Sequence, residues 1–222
     1  MHQSTAAVPT KESKHIMSSI SIIGLGNMAR AIGVRAVEGG NAVEVIGRDA
    51  AKAADLADAL GHGATAGKTG TAPAGDIVIL ALPYAGAAQL VAQYGDALAG
   101  KVIVDITNPF NAGATGLATP EGTSVAQEIA AAAPASAHVV KAFNTIFGNV
   151  LAQGRPLDVF IAGDDAPAKA SVSAFIESIG LRPLDTGPLG MARWLEGASL
   201  LMMGLGRYGV GNYSFSLGVA TL

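Results

Sequence analysis

The segment Ser19-Ile20-Ser21-Ile22-Ile23-Gly24-Leu25-Gly26-Asn27-Met28-Ala29 constrains this chain more than any other stretch. A short β-branched run breaks into Gly-x-Gly-x-x-Ala and continues into helix-forming residues. That is the order in which a strand, a tight turn and a helix N-terminus meet a dinucleotide pyrophosphate. Gly24 takes the turn out of the strand. At Gly26 the missing Cβ lets backbone N–H groups approach phosphates, and small Ala29 lets the helix pack close to the strand. Leu25, Asn27 and Met28 complete the turn, and the helix N-terminus adds unpaired donors with a partial positive charge. Glycine is common here, 29 of 222 residues, so the motif carries weight only because a strand precedes it and a helix follows.

The second strand says which nucleotide such a turn would hold. Asn41 to Ile46 reads as that strand, and it ends in Gly47-Arg48-Asp49-Ala50-Ala51-Lys52. An NAD-selective site places Asp or Glu at this tip to accept the ribose 2′-hydroxyl. Here the tip is Gly47, and Arg48 follows with a planar fork suited to a 2′-phosphate. Lys52 lies one helical turn on, on the same face. The plainer reading is a solvated helix start with Asp49 as its N-cap. The two coexist, and the expectation is NADP(H) in preference to NAD(H).

Composition removes several classes of function. Half the residues are apolar and 14% are charged, enough for a sizeable core and against global disorder. A net charge of −3 is no footprint for nucleic acid or an anionic membrane. Cysteine is absent, which removes disulfides, thiol nucleophiles and thiolate metal sites. The histidines, His2, His15, His62 and His138, show no ligand spacing, so no metal is expected. Residues 1–17 lack the apolar core of a signal peptide and read as a flexible tail, with Met17 an alternative start. The apolar stretch from Leu195 to Leu205 carries Glu196 between Arg193 and Arg207, too short and too charged to span a bilayer. A cytoplasmic protein is expected.

Beyond the opening unit, strands and helices keep alternating. A short third strand is expected over Gly61 to Thr65. Apolar runs over Asp76 to Leu82, Lys101 to Ile106, His138 to Ala142 and Leu157 to Ala162 read as further strands, buried on both faces. Leu181 to Leu184 reads as a last short one. Helices are expected over Ala87 to Tyr94, from a Ser124/Gln127 capping box to Ala133, over Ala166 to Ile179, and from Pro188 to about Gly206. The fold class is therefore α/β: a Rossmann-type, doubly wound, mainly parallel sheet with a short C-terminal helical appendage. Its expected parts are the tail, a nucleotide-binding domain over 18–187, and a C-terminal segment over 188–222. Ligands of such sheets lie beyond the carboxyl ends of the strands. The residues there are Gly24 to Met28, Gly47, Arg48, Lys52, Leu82, Pro83, Tyr84, Asn108, Pro109, Ala142 and Asn144. Asn108 and Asn144 are placed to bond a nicotinamide carboxamide or ribose, or else to cap their own loops.

The same strand ends carry a likeness to a known lineage. Gly24 to Ala29, Asp105-Ile106-Thr107-Asn108-Pro109, Val140-Lys141-Ala142-Phe143-Asn144-Thr145 and the run Gly180 to Leu189 resemble NADPH-dependent reductases related to the deazaflavin (coenzyme F420)-dependent NADP reductases. The cytosolic domain of the six-transmembrane epithelial antigen metalloreductases is similar through the same segments. The resemblance extends from about Ser18 to Leu189. Deazaflavin reductases often carry hydroxyl residues where Leu25 and Gly47 stand, and a histidine where Asn144 stands. The asparagine is closer to the metalloreductase-like branch.

The resemblance implies hydride transfer between NADP(H) and a flavin-like ring stacked on the nicotinamide, with coenzyme F420, FMN or FAD as co-substrate. No catalytic acid or base is singled out, because positioning two rings and excluding water carry most of such a reaction. It also implies that the C-terminal segment forms a homodimer contact and one wall of an acceptor pocket, with Phe110, Thr145, Met202 and Met203 as lining residues. Pyrroline-5-carboxylate reductases share the glycine turn but need a long helical dimerisation domain after it. A redox sensor that binds NADPH without turnover is the non-enzymatic alternative.

Overall fold

The computed structural model describes residues 18–221; the expected flexible tail, with Met17, His2 and His15, lies outside them. Eight strands form one sheet in the order β3-β2-β1-β4-β5-β6-β7-β8. They are β1 (Ser19–Ile23), β2 (Ala42–Gly47), β3 (Thr65–Lys68), β4 (Ile77–Leu80), β5 (Val102–Asp105), β6 (His138–Lys141), β7 (Asp158–Gly163) and β8 (Arg182–Asp185). The helices are α1 (Asn27–Glu38), α2 (Ala50–Leu60), α3 (Ala87–Tyr94), α4 (Val125–Ala132), α5 (Gly148–Leu151), α6 (Ala166–Ser178) and α7 (Ala192–Gly204).

The apolar runs make these strands because helices cover both faces of the sheet. Ile20, Ile22, Ile77 and Ile79 point into the layer formed by α1, α2 and α6. Ile23, Val78, Leu80 and Ile103 point into the layer formed by α3 and α4. Alternation of side chains along a strand thus feeds two cores at once. Val78, Ile79 and Leu80 are fully buried, each contributing about 1.5–3 kcal/mol of apolar burial. Val78→Asp would place an unpaired charge in the α3/α4 layer.

Local signals set the helix boundaries. Asp49 caps α2 by accepting the Lys52 N–H at 3.2 Å. Ser124 and Gln127 close the expected capping box on α4. Asp165 caps α6 at 2.7 Å from the Ala168 N–H. On α1, buried Arg35 is satisfied by the carbonyls of Leu151, Ile179 and Arg155, tying that helix to the chain after β6.

Strands β1 to β6 are parallel, whereas β7 pairs antiparallel with β6, through Val140↔Gly163 and Lys141↔Ala162. The chain between them holds only the four-residue α5 and no full-length helix of the kind that carries the parallel crossovers after β1, β2 and β7, as such crossovers usually have. The third strand lies at Thr65–Lys68 rather than Gly61 to Thr65, with Glu44↔Thr65 through Gly47↔Lys68 as its register. It is an edge strand, mostly exposed, so no apolar run marks it.

The C-terminal segment folds back over the domain. After α7 a π-helical turn spans Leu205–Val210, and the described chain beyond it has no regular secondary structure. The rings of Tyr213 and Phe215 meet Phe147 edge-on at 5.4 and 5.5 Å. Asp158 accepts both the Arg182 guanidinium and the Val219 N–H, which pins the end of the chain to β7 and β8. No helix among the described residues is long and apolar enough to cross a membrane.

Candidate dinucleotide site

The sheet order reverses between β1 and β4, and a crevice opens there beyond the strand ends, as it must at such a switch point. The cleft has a volume of about 850 Å³. Its floor is the glycine turn. Gly24 has φ +133°, and a Cβ there would stand 1.9 Å from the Ala81 carbonyl oxygen, so only glycine fits. A Cβ on Gly26 would meet nothing within 4 Å: the space above the helix start is open. Gly26 is the N-cap of α1 and offers no side-chain hydrogen bond, and the first turn holds no acidic residue. The N-terminal N–H groups of α1 thus keep their capacity for an anion. These features fit a pyrophosphate.

The cleft gathers Gly24, Leu25, Gly26, Gly47, Arg48, Leu82 and Pro83 from the expected site residues. It adds Thr69, Gln89 and Gln93, which no motif marks. Thr69 donates its hydroxyl to the Gly47 carbonyl at 2.6 Å and so holds the β2 tip. Arg48 is exposed. Asp49 also borders the cleft, but its carboxylate is engaged with the Lys52 N–H and lies 3.7 Å from Lys52 Nζ. Lys52 is 74% exposed and stands outside the lining. Asn27, Met28 and Tyr84 flank the crevice without lining it, Met28 lying against Gly148.

The strand ends of β5 and β6 form a separate, mostly buried polar assembly. Lys141 Nζ donates to Asp105 Oδ2 at 2.8 Å, to the Thr107 carbonyl at 2.6 Å and to Glu196 Oε1 at 2.9 Å. All three charged side chains are fully buried. Glu196 Oε1 also accepts the Val125 N–H, the first donor of α4. Burial pushes the Glu196 carboxyl above its ordinary pKa, Lys141 pulls it down, and the Asp105 charge pushes it further up.

Next to this group Asn144 Nδ2 faces Asn108 Oδ1, the Leu195 carbonyl and Ser199 Oγ at 2.9–3.0 Å. Asn108 in turn donates to the Asn144 carbonyl at 2.8 Å. The amide of Asn144 is therefore spent on Asn108 and α7, and its Oδ1 is buried without a partner. Thr145 is buried with its hydroxyl unpaired. Ala142 is fully buried and Pro109 is buried. Phe143 turns the chain between them at φ +58°, an uncommon conformation for a bulky residue, with its ring packed at 6.3 Å from that of Phe175.

A second cavity of about 250 Å³ lies between the loop around Ala114 and α7. Met203 lines it with Leu200, Arg207 and Tyr208. Met202, expected beside it, is 1% exposed and faces the interior, one helical position away from that wall. Phe110 is half-buried and bridges to Leu117. The buried triad and the Thr69 clasp were both missed in the sequence. The triad did leave a trace: Asp105, Lys141 and Glu196 are lone charges in apolar runs.

The geometry has counterparts among known proteins. A family model described as NADP oxidoreductase, coenzyme F420-dependent, matches residues 19–109, which span the glycine turn and the cleft lining. The metalloreductase STEAP3 of Rattus norvegicus is 32% identical over 204 residues, 90% of this chain and 39% of the relative. The F420-dependent NADP reductase of Methanocaldococcus jannaschii is 33% identical over 139 residues, 59% of this chain and 62% of the relative. The chain thus spans less than two thirds of either relative. A crystal structure assigned to an F420-dependent NADP reductase from Arthrobacter sp. FB24 matches 91% of this chain and 99% of its own, with TM-score 0.80 and 25% identity. In its glycine turn and sheet order the chain is similar to the F420-dependent NADP oxidoreductases over residues 19–109, and it shares that likeness with the STEAP3 metalloreductase and with F420-dependent NADP reductase over the stretches given above.

Proposed function

We propose that this chain binds NADP(H) in the crevice beyond β1, β2 and β4 and exchanges a hydride with a planar acceptor of the deazaflavin (coenzyme F420) or flavin class. One observation carries the reading. The uncapped N-terminus of α1 opens on a large cleft whose β2 tip presents Arg48 and no side chain at Gly47. The pyrophosphate then lies over Leu25 to Met28 and the 2′-phosphate by Arg48, with Lys52 adding charge. Leu82, Pro83, Tyr84, Asn108, Pro109, Ala142 and Asn144 lead from there toward the nicotinamide end.

NADPH supplies the hydride in this chemistry. The chain's part is to hold the dinucleotide, present one face of the nicotinamide and keep water away. The segment 188–222 supplies the acceptor wall, with Met203, Phe110 and Thr145 on that side. A second copy of the chain is proposed to cover Trp194, Leu201 and Tyr208, which are 66, 61 and 81% exposed and share one stripe of α7 and its extension, more apolar surface than a lone helix leaves bare.

Steady-state NADPH oxidation against coenzyme F420, FMN, FAD, riboflavin and ferric chelates tests the reading, with light scattering for the second copy. Turnover with a deazaflavin or flavin is expected. Tight NADPH binding with no turnover on any acceptor would replace the enzyme by a sensor, and a monomer in solution would remove the dimer.

A further inference from the structure

The β2 tip is closed to side chains for a reason that lies elsewhere in the chain. A Cβ on Gly47 would stand 2.4 Å from Leu25 Cδ1, 2.7 Å from Cγ and 3.1 Å from Cδ2, against an optimal carbon separation of about 3.5–4.0 Å. Gly47 has no positive φ, so its backbone would suit any residue. The restriction is one of space, and Leu25 imposes it.

The two backbones are pinned, so a Cβ at position 47 has to displace the Leu25 side chain. Leu25 is held by the glycine turn: the Gly24 N–H donates to the Ile46 carbonyl at 2.9 Å, and Ala81 N–H to the Ile23 carbonyl at 2.8 Å. The Gly47 carbonyl is held by Thr69 at 2.6 Å. Two fixed backbones face each other, and the isobutyl group of Leu25 fills the gap at the edge of the cleft.

We propose that Leu25 is a specificity-determining residue for the dinucleotide. By occupying the Cβ volume of position 47 it keeps a carboxylate off the β2 tip. Such a carboxylate would accept a ribose 2′-hydroxyl and repel a 2′-phosphate. Leu25 offers the phosphate no donor of its own, so preference for NADP(H) arises from exclusion at positions 25 and 47 together with attraction by Arg48. The inference rests on the cleft being the NADP(H) site.

The test is a double-mutant cycle on the full chain: Leu25→Ala, Gly47→Asp and both together, read by thermal unfolding without nucleotide and by calorimetric titration with NADPH and NADH. Leu25→Ala removes all three clashing carbons. Overpacking should lower the melting temperature of Gly47→Asp by roughly 4–10 °C. The double variant should return to within about 2 °C of Leu25→Ala. Only the double variant should gain NADH, moving the NADPH-to-NADH affinity ratio about tenfold or more. Failure of Gly47→Asp to fold, with a folded double variant, gives the same support.

Additive melting shifts, an unfolded double variant, or equal NADH gain by Gly47→Asp alone would each overturn the inference while tight NADPH binding by the native chain left the cleft assignment standing. A native chain that binds neither nucleotide would overturn both, even with the two positions coupled in the melts.

Discussion

Lys141 offers the sharpest quantitative test of how this fold holds its C-terminal helix. Its ammonium has three donors, and all three are used, on Asp105, Thr107 and Glu196 at 2.8, 2.6 and 2.9 Å. Lys141→Met keeps most of the side-chain volume and withdraws the charge. Two buried carboxylates then lose the cation they share. Removing one partner of a buried ion pair costs about 3–5 kcal/mol. For a chain of this size each kcal/mol shifts the melting temperature by about 2–4 °C, so a fall of about 6–20 °C is expected. Protonation of Glu196 offers partial relief, so the deficit should grow as pH rises.

Glu196→Gln separates charge from packing. Burial holds the Glu196 carboxyl above its ordinary value of 4.5, so the folded protein binds that proton more tightly than the unfolded chain does. The stability this gives is complete below pH 4.5 and is lost as pH rises through the folded value. Glutamine keeps an oxygen for Lys141 and the Val125 N–H and does not titrate. The advantage of the native chain over Glu196→Gln should therefore shrink with rising pH. Denaturant melts from pH 4.5 to 8 measure both effects. A Lys141→Met melt within 2 °C of the native one, or parallel pH curves for native and Glu196→Gln proteins, would refute the reasoning.

Arg48→Gln should weaken NADPH by about 10- to 150-fold, the worth of one charge-assisted contact, and leave NADH nearly unchanged by calorimetry; equal losses would remove the 2′-phosphate assignment. Ser124→Ala dismantles the α4 capping box and should cost about 1 kcal/mol in denaturant melts. The Arg182 guanidinium beside Asp158, with the Val219 N–H, holds that carboxyl below its ordinary value. The stabilisation is therefore present above pH 3.8 and is lost as pH falls through the folded value. Asp158→Asn should accordingly speed amide exchange at Val219 at neutral pH, measured by mass spectrometry, and unchanged protection there would show that the C-terminal segment is held by its aromatic contacts alone.

Much of the fold was legible because each central strand is a short apolar run buried on two faces, and α2, α4 and α6 open on residues that cap them. Val78 and Ile79 read as interior whichever way they point. Legibility failed where burial is partial or where a decision depends on distant chain. The third strand at Thr65–Lys68 lies at the sheet edge with three of its four residues exposed, so nothing apolar distinguishes it from the turn before it. The reversed direction of β7 goes with the lack of a full crossover helix between it and β6, which its own residues do not signal. In the site, the glycine turn and Arg48 were readable because their spacing is local. Thr69 acts through one hydroxyl on a carbonyl 22 positions away, and no pattern announces such a bond.

The run Lys141-Ala142-Phe143-Asn144-Thr145 illustrates how a distinctive motif can differ in use from what its position suggests. It lies at a strand's carboxyl end, where ligand contacts are sought, yet all five residues are buried. Lys141 binds Glu196, and Asn144 binds the Leu195 carbonyl and Ser199, so both fasten α7. Phe143 accepts a left-handed backbone that places its ring in the core against Phe175. A strained residue persists only where its surroundings over-determine it, and here they do so from both sides, by the aromatic core and by the amide lattice. The side chains of Lys141 and Asn144 are thus committed to attaching the C-terminal helix across the ends of β5 and β6. A likeness carried by this run is first a likeness in how that helix is mounted. Its consequence for an acceptor is indirect but physical, because α7 also carries Leu200 and Met203 on the wall of the second cavity, and the lattice that fixes Glu196 and Ser199 fixes that wall with them.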